Sequence, residues 1–260
     1  MDLKLKGRTA LITGGSQGIG FSIAQFLAAE GCSIILISRT EADLKAAKQR
    51  LEKDHGVAVT THAINLAERG RPQELAAKYP DLDILVNNAG STPRGTILDV
   101  DEDRFRAAFD LKVFGYINMC REFYRNMKAR RKGVIINILG NGGEAPDAGY
   151  IAGAACNASL MAFTRALGGQ SDRDGVRVVG VNPGPVATER LIGLMKTESK
   201  RVHGDESRWE EFSKGFPFGR AAKVEEIGAT VALLASDLSS YTTGTVVTID
   251  GGMVNSGSLI

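Results

Sequence analysis

The chain is poor in several features that would have directed its reading elsewhere. Only three of its 260 residues are cysteine, and Cys32, Cys120 and Cys156 form no CxxC pair. This usage excludes a disulfide framework and a thiolate metal site, and it suits a reducing compartment. No stretch reaches the ~18 consecutive apolar residues that a membrane helix needs. Met1 to Arg8 is charged and has no apolar signal core, so a cytoplasmic location and no membrane partner are expected. Charge of one sign is also lacking. Lys and Arg number 32 against 30 Asp and Glu, a formal net charge of +2, which offers no electrostatic footprint for nucleic acid. The densest basic run, Lys128 to Lys132, is broken by Ala129 and reads as a solvated helix end, where cations suit the helix dipole. His55, His62 and His203 show no metal or triad spacing, so no metal is expected.

What is present is an alternation. Short β-branched and apolar runs alternate with longer stretches of helical period. Strands are expected at Thr9 to Thr13, Ser33 to Ile37, Val57 to Ile64, Asp83 to Val86, Gly133 to Leu139, Val176 to Val181 and Thr245 to Ile249. Helices are expected at Gly18 to Ala29, Glu41 to Lys53, Glu68 to Lys78, Asp101 to Ala129, Ile151 to Leu167 and Val224 to Ala235. Continuous apolar strands alternating with helices predict an α/β fold, a doubly wound parallel sheet of about seven strands covered on both faces. No linker or repeat divides residues 1–260, so one domain is expected. Pro183 to Phe218 reads as irregular, with Met195, Trp209, Phe212 and Phe216 among many charges. A stretch this long in a compact domain points to a binding loop, and 186–218 is expected to be a substrate lid. The alternative is a peripheral helical hairpin whose apolar residues only dock it.

Thr13-Gly14-Gly15-Ser16-Gln17-Gly18-Ile19-Gly20 joins the first strand to the first helix. Glycines there permit a tight turn and close backbone approach to a pyrophosphate, and the helix N-terminus offers free N–H groups to it. The spacing, Gly-x-x-x-Gly-x-Gly, resembles that of the short-chain dehydrogenase/reductases. Their TGxxxGxG matches Thr13, Gly14, Gly18 and Gly20. Their NNAG matches Asn87 to Gly90, their NPG with a following Thr matches Asn182, Pro183, Gly184 and Thr188, and their C-terminal strand with DGG matches Thr245 to Gly252. The resemblance spans nearly the whole chain. It implies an NAD(P)-dependent oxidoreductase that moves hydride between the cofactor and a carbonyl or alcohol of small size. It also implies a homo-oligomer, tetramer or dimer.

The dinucleotide is expected on Gly14, Ser16, Gln17, Gly18, Ile19 and Gly20, on Asn65 and Leu66 after the third strand, and on Asn88, Ala89 and Gly90 after the fourth. Pro183, Gly184, Val186 and Thr188 complete the set, with Thr188 implied to reach the nicotinamide carboxamide. At the end of the second strand, Ser38 stands where an acid would bind the ribose hydroxyls and select NAD. Arg39 follows, and a guanidinium pairs readily with a 2′-phosphate. NADP(H) is therefore expected over NAD(H).

The proton-transfer pattern departs from the family. The resemblance implies Ser, Tyr, Lys and Asn as the catalytic set. In the ungapped register these positions hold Gly140, Gly153, Asn157 and Lys112. Tyr150 lies three residues before the tyrosine position. Lys and Asn have thus exchanged places, at Lys112 and Asn157. One reading is a rewired reductase: Lys112 sends its ammonium into the same space, Tyr150 supplies the phenol into room left by Gly153, and Asn141 offers an amide N–H to the carbonyl. The other is a cofactor-binding, non-catalytic relative, regulatory or scaffolding, with Lys112 paired to Asp110 or Glu144.

Overall fold

The computed structural model describes residues 2–256. Seven parallel strands form one sheet in the order β3-β2-β1-β4-β5-β6-β7. They are β1 (Thr9–Thr13), β2 (Ser33–Ser38), β3 (Val59–Ala63), β4 (Ile84–Asn87), β5 (Gly133–Ile138), β6 (Val176–Pro183) and β7 (Val246–Ile249). β1 pairs Thr9 with Ser33 of β2 on one side and Ala10 with Ile84 of β4 on the other. The strand order therefore reverses between β1 and β4, and a crevice opens there beyond the carboxyl ends of the strands.

Side chains alternate across the sheet as a strand's period of two requires. Ala10, Ile12, Ile34 and Leu36 pack on one face with Ile23 and Leu27 of α1 (Gly18–Ala29) and Ile227 and Val231 of α8 (Val224–Ala235). Leu11, Ile35 and Ile37 pack on the other with Leu75 of α3 (Arg71–Lys78) and Met119 and Phe123 of α5 (Gly115–Arg130). Between α5 and α6 (Ile151–Gly168), Tyr116, Leu139, Cys156 and Leu160 form a smaller apolar cluster. Helix α2 (Glu41–His55) ends at Gly56, whose φ of 66° is the left-handed conformation that closes a helix at low cost.

Two stretches differ from the sequence reading. The long helix expected from Asp101 to Ala129 is α4 (Glu102–Ala108) and α5, joined by a π turn at Phe109–Phe114. Asp101 caps α4, its carboxylate accepting the Arg104 N–H at 2.8 Å. A π turn fits an extra residue into one turn and rotates the helix beyond it. Here it buries Lys112 and Val113 and leaves Asp110 and Phe114 exposed. Helical periodicity cannot foretell such an insertion.

The stretch expected to be irregular is mostly helical, with α7 (Glu189–His203) followed by a 3₁₀ segment at Glu206–Gly215. Thr188 caps α7 by accepting the Leu191 N–H, and Ser199, buried, donates to the Asp205 carbonyl at 2.6 Å. Met195 is buried, while Leu194 and Val202 remain exposed, and that mixture hides a helical period in the sequence. No helix among the described residues is long and apolar enough to cross a membrane.

Candidate active site

The glycine-rich turn leaves β1 at the crevice. Gly14 has φ +63° and Gly18 φ +54°, backbone conformations that favour glycine. A Cβ on Gly20 would collide with the Gly14 carbonyl oxygen and lie 2.5 Å from Asn88 Nδ2, and one on Gly15 would lie 2.7 Å from Leu36 Cδ2. The turn is held from outside. Thr13 Oγ1 accepts the N–H groups of Asn88 and Ala89 at 2.8 and 2.9 Å. The Asn88 amide donates to the Thr13 and Gly14 carbonyls at 3.0 and 3.1 Å. Asn88 is thus a brace for the phosphate turn, and Ala89 shares that seam.

Helix α1 begins without a side-chain cap and without an acid in its first turn. Its leading N–H groups and positive dipole end are free to meet phosphate oxygens. Glycines that exclude any side chain and an uncapped helix start together fit a dinucleotide pyrophosphate. Thr188 lies across the crevice, its Cγ2 only 3.2 Å from where a Gly18 Cβ would stand. Ser16 donates to Ser38 Oγ at 3.1 Å, so hydroxyls and no carboxylate stand at the end of β2. Arg39 is exposed beside it. Asn65 is exposed and turns its Oδ1 to the Ala67 N–H, whereas the Leu66 side chain is buried in the core. Gly184 N–H donates to the Ile249 carbonyl and Val186 bridges to Ala222, fixing Pro183 to Val186 at the crevice wall.

At the other end of the crevice, Lys112 is 8% exposed and donates to Asn157 Oδ1 at 2.6 Å and to the Leu139 carbonyl at 3.0 Å. The two residues expected at exchanged positions therefore meet head to head. Lys112 pairs with neither Asp110 nor Glu144, against one expectation. Glu144 instead accepts from Asn182 Nδ2 and Thr248 Oγ1, and Asp110 is exposed. Burial draws the Lys112 ammonium down to about 8. Cys156 opposes that shift and the charge of Arg190 adds to it. Gly90 receives the Lys112 stem, since a Cβ there would stand 3.1 Å from Lys112 Cδ.

Tyr150 fills the place that Gly153 leaves. A Cβ on Gly153 would fall on the Tyr150 ring, and one on Gly142 would lie 3.4 Å from it. The Tyr150 hydroxyl sits 2.5 Å from Thr92 Oγ1. No hydrogen bond joins Tyr150 to Lys112 among the described residues. Gly140 takes its place beside Asn157, whose Nδ2 would be 2.8 Å from a Gly140 Cβ. The Gly140 N–H donates to Asn182 Oδ1 at 3.2 Å. Asn141, expected to polarise a carbonyl, turns its amide to Met253 Sδ at 3.4 Å, a weak acceptor.

Thr92 and Arg190 join the site, Arg190 from within the 186–218 stretch expected to cover the substrate. Thr92 is a buried threonine in a loop, and Arg190 donates to its carbonyl at 3.2 Å from the first turn of α7. The buried thiols play no visible part. Burial pushes Cys32 and Cys120 up to about 12 and Cys156 to about 11, so they stay protonated and poorly nucleophilic. No group of His, Cys, Asp and Glu that could hold a metal is found among the described residues.

A glycine-turn dinucleotide crevice beside a buried lysine and a tyrosine defines a Rossmann-type oxidoreductase site. A family model described as "Enoyl-(Acyl carrier protein) reductase" matches residues 14–254. The 3-oxoacyl-[acyl-carrier-protein] reductase FabG of Chlamydia muridarum is 31% identical over 257 residues, covering 97% of this chain and 100% of the relative. Oxidoreductase UcpA of Escherichia coli is 34% identical over 257 residues, covering 96% and 95%. The solved structure of L-sorbose reductase from Gluconobacter frateurii, complexed with NADPH and L-sorbose, superposes with a TM-score of 0.92 at 29% identity, covering 99% of this chain and 100% of that one. The chain belongs to the short-chain dehydrogenase/reductase family of NAD(P)-dependent oxidoreductases.

Proposed function

We propose that the protein transfers hydride between NADP(H) and a carbonyl or alcohol substrate, with Tyr150 and Lys112 replacing the family's usual proton-transfer pair. The observation that carries this reading is the buried Lys112 ammonium, bonded to Asn157 at 2.6 Å and answered by no carboxylate among the described residues. A buried cation without an ion partner is costly, and its cost is met where a developing negative charge needs it.

When bound, the dinucleotide supplies or accepts the hydride. The chain supplies the rest. The Tyr150 O–H gives its proton to the substrate oxygen and is replenished through Thr92, 2.5 Å away. Lys112 holds positive charge beneath that oxygen. Asn157 fixes the ammonium in place, and Asn141 exchanges its weak sulfur contact for the carbonyl. The preference for NADP(H) rests on Ser38 and Arg39, with no acid at the end of β2. Residues 186–218 close over the substrate, with Thr188 capping α7 beside Gly18. The remaining expectation, a homo-oligomer, fits the exposure of Leu98, Phe114 and Tyr241.

A scaffold that binds cofactor without turnover fits less well, because similarity to proteins named as reductases and oxidoreductases runs through nearly the whole chain. The test is NADPH oxidation across a panel of ketones, aldehydes and quinones. Lys112→Met and Tyr150→Phe are each expected to lower kcat by about 10²-fold or more, the scale of a lost general acid, with NADPH affinity retained. Unchanged turnover in either variant would overturn that residue's role.

A further inference from the structure

Two guanidinium groups contact the Tyr150–Thr92 pair, one at the ring of Tyr150 and one at the backbone of Thr92. Arg94 lies over the Tyr150 ring, its Cζ 5.9 Å from the ring centroid. Arg190 comes from the opposite element, α7, and its Nη2 donates to the carbonyl of Thr92, the residue whose hydroxyl touches Tyr150. The loop carrying Arg94 is pinned to the tyrosine segment, since the Gly95 N–H donates to the Gly149 carbonyl at 2.8 Å. Arg94 and Arg190 thus each touch one member of the same hydrogen-bonded pair. The charge of Arg190 also reaches Lys112.

None of the three cations has an acid within ion-pair distance among the described residues. Several other surface arginines are matched, and others, such as Arg39 and Arg121, are not matched among the described residues. Arg71, Arg201, Arg208 and Arg220 each hold a carboxylate at 2.5–2.9 Å. Glu198, whose carboxyl senses Arg94, is held by Arg201 through two hydrogen bonds. Glu144, on the neighbouring loop, is engaged by Asn182 and Thr248. The dinucleotide's own phosphates belong at the start of α1, whereas Arg190 faces Thr92. A solvated arginine needs no partner, but two exposed guanidinium groups tied to the same tyrosine–threonine pair can offer N–H donors to one oxyanion.

We propose that the substrate carries an oxyanionic group, a carboxylate or a phosphate, held between Arg94 and Arg190 with its carbonyl or carbinol carbon against Tyr150. This assignment of substrate class rests on the hydride-transfer reading of the same site. It places the enzyme among those that act on oxo acids, hydroxy acids or sugar phosphates rather than on neutral polyols.

The experiment is titration calorimetry on the NADP-loaded protein. The probes are short oxo and hydroxy acids, from pyruvate to 5-oxohexanoate, each paired with its amide, and dihydroxyacetone phosphate paired with dihydroxyacetone. An anion is expected to bind at least about tenfold more tightly than its neutral partner, the equivalent of about 1.4 kcal/mol. The pair that shows the larger ratio identifies carboxylate or phosphate. The ratio should fall towards one in the Arg94→Gln, Arg190→Gln double variant, checked for folding by its melting curve. Equal affinities, no binding of any anion, or a preference intact in the double variant would overturn the proposal. NADPH oxidation measured in parallel separates the two readings. Anion preference without oxidation sinks hydride transfer alone, and oxidation of neutral and anionic partners alike sinks the anion site alone.

Discussion

At the scale of single residues, the site is built by exchange. Lys112 and Asn157, read in the sequence as standing in each other's family positions, meet at 2.6 Å. Gly153 gives up its side chain, and the Tyr150 ring lies in the vacated volume. The lysine leaves a mark on stability. It titrates at about 8 in the folded protein against an ordinary 10.5, because burial disfavours its charged form. Between those values the unfolded chain holds a proton that the folded chain has lost, so this group makes stability rise with pH across that window. The penalty is fully present below about pH 8. Wild type should therefore gain on Lys112→Met as pH goes from 8 to 10, by at most about 1.4 kcal/mol per unit. Denaturant midpoints at several pH values measure this, and parallel pH profiles for the two proteins would contradict it. The same titration makes carbonyl reduction fall as pH rises through about 8, when the ammonium that steadies the developing oxyanion is lost.

At the scale of elements, legibility followed the kind of force at work. The strands and α1, α2, α6 and α8 were readable because burial on a sheet imposes a period on the sequence. The phosphate turn was readable because close backbone approach admits only glycine. Gly20→Ala should place a methyl group against the Gly14 carbonyl and Asn88, opening the turn and weakening NADP binding by at least about tenfold, about 1.4 kcal/mol. Fluorescence titration with NADPH measures it, and unchanged affinity would show that the turn does not cradle the cofactor. The π turn at Phe109–Phe114 and the helix α7 were not readable. The first is set by how Lys112 and Val113 pack against neighbouring elements, which no local period records. The second mixes buried Met195 and Ser199 with exposed Leu194 and Val202. Arg190 lies in the stretch read as a lid, but its contact with Thr92 comes from loop and helix docking rather than from a motif.

At the scale of the whole molecule, the sheet's reversal between β1 and β4 brings together groups far apart in sequence. Gly14, Asn88, Lys112, Tyr150 and Thr188 all come from loops or helices at one end of the strands. Their geometry depends on the helices of each layer staying closely packed. Gly228 on α8 lets α1 approach, since a Cβ there would lie 2.6 Å from Phe26 Cδ2 and 2.7 Å from Ser22 Oγ. Gly228→Ala should force the helices apart and cost about 1–3 kcal/mol, read as a lower melting temperature. A melting temperature equal to that of wild type would show that this seam yields freely. Light scattering coupled to gel filtration should find a dimer or tetramer, and a monomer at micromolar concentration would rule out the homo-oligomer.

Hydride transfer itself is tested most directly by isotope. The protein is incubated with NADPH carrying deuterium at either face of nicotinamide C4, together with the oxo acid or sugar phosphate that binds best. The product alcohol is then examined by mass spectrometry. Deuterium from one face only should appear with wild type, and transfer should be lost in the Lys112→Met, Tyr150→Phe double variant while NADPH still binds. Absence of deuterium in any product of the wild-type protein, or equal transfer by the double variant, would contradict a reductase in which Tyr150 and Lys112 carry the proton chemistry.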